Sequence, residues 1–80
     1  MTHTPHELAD EFPEAAEAIH RLKMESAHFA RLADQYHTVN REIHRIESEV
    51  EAASDMRTED LKKERLLLKD EIAAMLQAGT

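Results

Sequence analysis

Apolar residues recur every seven positions through most of this chain. Ala15, Leu22, Phe29, Tyr36, Ile43 and Val50 form one series, and Ala18, Leu32, Val39, Ile46 and Ala53 form a second, three residues further on. A seven-residue repeat returns one face of an α-helix to the same side every two turns, and that stripe needs a facing helix to cover it. Glu25 alone interrupts the second series. Pro13 suits a first helical turn, so the pattern predicts one continuous helix over 13–53, roughly 60 Å long at about 1.5 Å per residue.

The register does not carry on through ASDMRTED. Extended forward, it sets Arg57, Asp60, Glu64 and Glu71 on the seam, which no packed stripe tolerates. Ser54 and Asp55 can end the helix by bonding to local backbone, and Thr58 followed by Glu59 and Asp60 offers a cap and an acidic first turn. A turn over 54–58 and a second helix over 59–77 follow, with 78–80 as a tail. The second helix has its own stripe of Leu61, Arg65, Leu68, Ile72 and Met75. Folded back antiparallel, it sets Val50 on Leu61, Ile46 on Arg65, Ile43 on Leu68, Val39 on Ile72 and Tyr36 on Met75. The fold class read from this is all-α: an antiparallel, coiled-coil-like helical hairpin with a long first helix and a short N-terminal helical extension.

On one flank of this hairpin Glu47 faces Lys62, Asn40 faces Lys69 and Ala33 faces Leu76. On the other, Glu42 and Glu49 face Glu64 and Glu71, an acidic wall. Arg65, the one charge in the seam, is expected to lay its stem over Ile46 and turn its head toward Glu42 or Glu49. That role sets register, and replacement by Leu is expected to keep or raise stability.

Residues 1–12 read as a short extension. Thr4, Pro5 and Glu7 are spaced for a capped helical start, and Leu8 and Phe12 are its apolar anchors. The second helix is about half as long as the first, so Ile19, Leu22, Phe29 and Leu32 are expected beyond its reach. Leu66 and Leu67, with Ala73 and Ala74, fall on its outer face. These two surfaces, with Leu8 and Phe12 covering part of the remainder, are the candidate oligomer or partner surface. The expected partner is another copy of the chain in a helical bundle, with an unidentified protein also accommodated.

Composition narrows the function classes. With 80 residues, the chain allows one domain and a small core, so help from an oligomer is expected. One Gly and two Pro leave little turn chemistry, as long helices require. A formal charge of −7 argues against a non-specific nucleic-acid binder, which needs a basic surface. There is no Cys, hence no disulfide and no thiolate site. The longest aliphatic run, Leu66 to Leu68, is far short of a membrane span, and a cytoplasmic location is expected.

Several stretches together resemble the YdcH-like family of small bacterial proteins: HELADEFPE near the start, the His28 and Phe29 pair, YHTVNREIHR from Tyr36 to Arg45, Glu47, and LKKERLLLKDEI from Leu61 to Ile72. The resemblance runs from His6 to Leu76. It implies a short coiled-coil hairpin with no assigned activity, and it carries over no catalytic or binding residue.

Chemistry finds little footing. The helical histidines His20, His28, His37 and His44 lie seven to nine apart, whereas helical metal ligands sit three or four apart on one face. No metal or cofactor is expected. His28, His37 and His44 are candidates for a pH response at an interface because imidazole as a side-chain type is the one suited to it, although solvated histidines are the simpler reading. The acidic wall lacks the clustered loop oxygens of a hard-cation site. Ser26, Ser48 and Ser54 have no strained turn or oxyanion loop around them, and no Gly-rich phosphate loop is present. Glu25 is read as a wet position or a partner for Arg21. The chain therefore reads as a small non-enzymatic interaction protein. The alternative is an RNA-associated or regulatory module using Lys62, Lys63, Arg65 and Lys69, a cluster diluted by Glu64, Asp70 and Glu71 and without stacking aromatics.

Overall fold

The computed structural model describes residues 6–48 and 55–78. All of its regular structure is helical: α1 (Leu8–Glu11), a single 3-10 turn (Pro13–Ala15), α2 (Ala16–Glu25), α3 (Ala27–Glu47) and α4 (Asp55–Ala78). Val50, Glu49 and Ala53, the turn residue Ser54, and the capping residues Thr4 and Pro5 lie outside the described residues.

The heptad stripe forms, but not on one helix. The helix expected over 13–53 is interrupted at Ser26, whose backbone is extended at φ −130° and ψ 114°. Two bonding patterns meet there. The Ser26 amide closes α2 on the Leu22 carbonyl at 2.8 Å, while its side-chain oxygen accepts from the Phe29 amide at 3.1 Å and caps α3. Glu25, the polar residue in the seam, is the last residue of α2; it is exposed and lies 3.8 Å from Arg21, one turn back. The physical reason for the break is that a continuous helix would carry Ile19 and Leu22 past the end of α4. The bend instead packs α2 against α3.

The burial follows from that bend. Leu8, Ile19, Phe29 and Leu32 share one core with Ala33, Tyr36, Val39, Ile43, Leu68, Ile72 and Leu76, and Phe12, Leu22, Leu61 and Met75 pack around it. Phe29, Tyr36, Ile43 and Ile72 are fully enclosed. Of the expected seam layers, Ile43, Leu68, Val39, Ile72 and Tyr36 lie in the core, Met75 and Leu61 pack against it, and Ile46 and Arg65 are half-buried. The Val50 layer is outside the described residues.

α4 differs from expectation at its start. Thr58 lies within the helix that runs from Asp55, so it is not a cap. Lys62 lies 3.3 Å from Glu47 as the flank pattern requires. Arg65 does not turn to Glu42, which pairs with Arg57. Its Nη1 donates to Asn40 Oδ1 at 2.9 Å, while Lys69 lies 3.5 Å from Glu11 of α1. Asn40 is the buried polar residue among the described residues, so its oxygen, enclosed between α3 and α4, attracts the guanidinium more effectively than the part-exposed Glu42 carboxylate that Arg57 already holds.

Pro13 ends α1 and opens the 3-10 turn, as its missing amide favours. Ahead of α1, His6 adopts φ 64°, in the left-handed region.

Candidate interaction surface

Two sets of polar and apolar groups remain once the core is accounted for. The first ties the N-terminal segment to α3 and α4. The Tyr36 hydroxyl donates to the His6 carbonyl oxygen at 2.5 Å, His37 Nδ1 lies 3.2 Å from Glu7 Oε2, and His6 Nδ1 lies 3.1 Å from Glu11 Oε1. Burial, and after it the Glu11 carboxylate, push the Tyr36 phenol up to about 12; Arg65 opposes them, and Glu7 and Asp10 add smaller upward contributions. A phenol so placed stays protonated at neutral pH and acts as a hydrogen-bond donor. Beside it, Glu7, Leu8, Ile19, Lys23, Asp34 and His37 help line an open cleft of about 410 Å³. The titrating side chains there are either committed to one another or exposed, and the geometry positions no nucleophile against a base.

The second set is the outer face of α4. This helix is apolar on opposite sides: Leu61, Leu68, Ile72, Met75 and Leu76 face the core, whereas Leu66 and Leu67 are 58% and 65% exposed. Lys63, Asp70 and Ala74 are exposed on the same side, at the three- and four-residue spacings that align side chains along a helix. Met56, 76% exposed, lies one heptad before Lys63. Ala73 is turned inward, where it lines a groove with Phe12, Ala15 and Ala18.

Leu66 and Leu67 thus lie where the sequence places them. Leu8, Phe12, Ile19, Leu22, Phe29 and Leu32 do not form an open surface, since the chain packs them against itself. What the heptad count lacked was the Ser26 cap, and its signal was present: a serine directly after the one polar residue of the seam.

The basic cluster is dispersed. Lys62, Arg65 and Lys69 turn toward Glu47, Asn40 and Glu11 respectively. Of the acidic wall, Glu42 is occupied by Arg57, Glu64 and Glu71 are exposed, and Glu49 is outside the described residues. Among the described residues no three His, Asp or Glu side chains come together as a metal-holding group, and no helix is long and apolar enough to cross a membrane.

Comparison with known proteins follows the same division of the chain. Residues 29–76, from the first buried residue of α3 to the last of α4, match the family described as "Protein of unknown function (DUF465)". The chain is similar to "Uncharacterized protein YdcH" of Escherichia coli (strain K12) and to that of Shigella flexneri. Each is 36% identical over 66 residues, which cover 82% of this chain and 89% of the relative. No solved structure matches.

Proposed function

The chain belongs to the DUF465 family, the YdcH-like small helical proteins, and we propose that it serves as a non-enzymatic interaction protein that self-associates through the outer face of α4. The reading takes α3 and α4 as an antiparallel coiled-coil hairpin that stiffens this face. In support, Lys62 meets Glu47 and the later Arg65 meets the earlier Asn40. The observation that carries the proposal is the exposure of adjacent Leu66 and Leu67 on a helix whose opposite side is already packed. Burying two leucines is worth roughly 1.5–3 kcal/mol each, enough to drive contact at moderate concentration.

Light scattering of the full chain over a dilution series tests this. Mass is expected to rise with concentration in the wild type and to stay at the monomer value when Leu66 and Leu67 are both changed to Gln. Equal association by the two proteins, or a wild type that remains monomeric throughout, defeats the proposal.

A further inference from the structure

We infer that the outer face of α4 receives the same face of a second copy, packed antiparallel about a two-fold axis between Leu66 and Leu67. The inference rests on the reading of that face as a contact surface, and it specifies the occupant and the register.

The argument is a symmetry in the charges. In a two-fold contact the residue that one copy presents to the other is presented back to it. With the axis between Leu66 and Leu67, those leucines meet in a cluster of four, and Lys63 of each copy lies opposite Asp70 of the other. Lys63 and Asp70 are exposed on the leucine side of the helix, and neither has an ion-pair partner among the described residues. Two ion pairs of opposite sign therefore bracket the four leucines. Next outward, Glu59 faces Ala74, so no like charges oppose on the central rows.

Other arrangements lose this match. Parallel packing sets Lys63 on Lys63 and Asp70 on Asp70. Sliding one copy by one turn in one direction sets Leu67 on Asp70, and in the other it sets Glu59 on Asp70. Only the register centred on the leucines joins apolar to apolar and cation to anion.

Overall charge does not oppose contact through this face. The chain carries a formal −7, but α4 has five basic residues (Arg57, Lys62, Lys63, Arg65, Lys69) against six acidic ones (Asp55, Glu59, Asp60, Glu64, Asp70, Glu71), a net of −1. Most of the negative charge therefore lies outside α4, and two copies approaching through it meet with little net repulsion. A single-helix contact falls below the roughly 1,200 Å² of a standard interface, so the association is weak and readily displaced.

Sedimentation of the full-length chain tests the register through charge exchange. Lys63→Asp and Asp70→Lys each set like charges across the axis and are expected to weaken dimerisation roughly tenfold or more. The combined K63D/D70K chain restores both pairs and regains wild-type association; in parallel packing, where each residue meets its own counterpart, neither single change would weaken association in the first place. A mixture of the two single variants is expected to form a mixed dimer. Circular dichroism monitors folding, which changes at these exposed positions leave intact. If association depends on Leu66 and Leu67 but ignores the charge exchange, or if the combined variant stays dissociated, the register is wrong while the contact surface stands. If association persists without the leucines, the contact surface itself is wrong.

Discussion

The Tyr36 hydroxyl and the His6 carbonyl oxygen, thirty residues apart in the chain, lie 2.5 Å apart across the N-terminal turn. This bond fastens the segment before α1 to the middle of α3. Its acceptor is held by a backbone in the left-handed region, which a non-glycine residue occupies at a cost of about 1 kcal/mol or more.

Tyr36→Phe keeps the ring in the core and removes the donor. The expected loss is about 1 kcal/mol, since the freed carbonyl of exposed His6 can be rehydrated. Urea unfolding measures the loss, and faster amide exchange in residues 7–12 locates it. Unchanged protection there would mean that the segment's other ties, Leu8 and Phe12 at the core and the Glu7 and Glu11 side-chain pairs, hold it without the bond.

The same residue sets an alkaline limit. Its phenol is raised to about 12 from an ordinary 10, so the folded chain retains a proton that the unfolded chain loses. The contribution is fully present below pH 10 and is lost as pH rises through 12, with a slope approaching 1.4 kcal/mol per pH unit between them. Stability of wild type minus that of Tyr36→Phe, measured from pH 8 to 11.5, is expected to be level at first and then to fall.

Arg65→Leu, which the seam pattern alone expects to be neutral or stabilising, is now expected to destabilise by about 1–3 kcal/mol. The reason is that the guanidinium donates to Asn40, 1% exposed, and its removal strips a bond from a buried oxygen. Replacing Asn40 by Leu as well is expected to recover part of the loss, because both polar groups then leave together. A double-mutant cycle in thermal unfolding gives the coupling; a coupling near zero would show that the two act independently.

Ser26→Ala removes the cap of α3 and is expected to cost about 1 kcal/mol. Phe29→Ala, three residues on, empties a fully buried ring site and is expected to cost about 3–5 kcal/mol. If Phe29 instead lay on an open face, the second change would be nearly silent in chemical unfolding.

These residues also show what is readable in the sequence. The core positions of α3 and α4, Tyr36, Val39, Ile43, Leu68 and Ile72, follow from apolar periodicity because burial depends on helical geometry alone. The paired Glu47 and Lys62 follow from the same register. The break at Ser26 does not, since it depends on whether capping plus the packing of Ile19 and Leu22 outweighs an unbroken helix, and that balance is set by tertiary contact. Tyr36 and His6 escape detection for another reason: the acceptor is a backbone oxygen, which every residue carries. Arg65 was misplaced because side-chain reach lets a guanidinium choose between several oxygens a turn apart.

The Ser26 bend also governs how the molecule moves through water. Helix α3 is about 31 Å long at 1.5 Å per residue, and the longest extent of the whole is 40 Å with a radius of gyration of 13.4 Å. An unbroken helix over 13–53 would reach about 60 Å and tumble as a rod. The folded chain instead diffuses nearly as a globule, so elongated scattering or a raised frictional ratio in solution reports more than one chain.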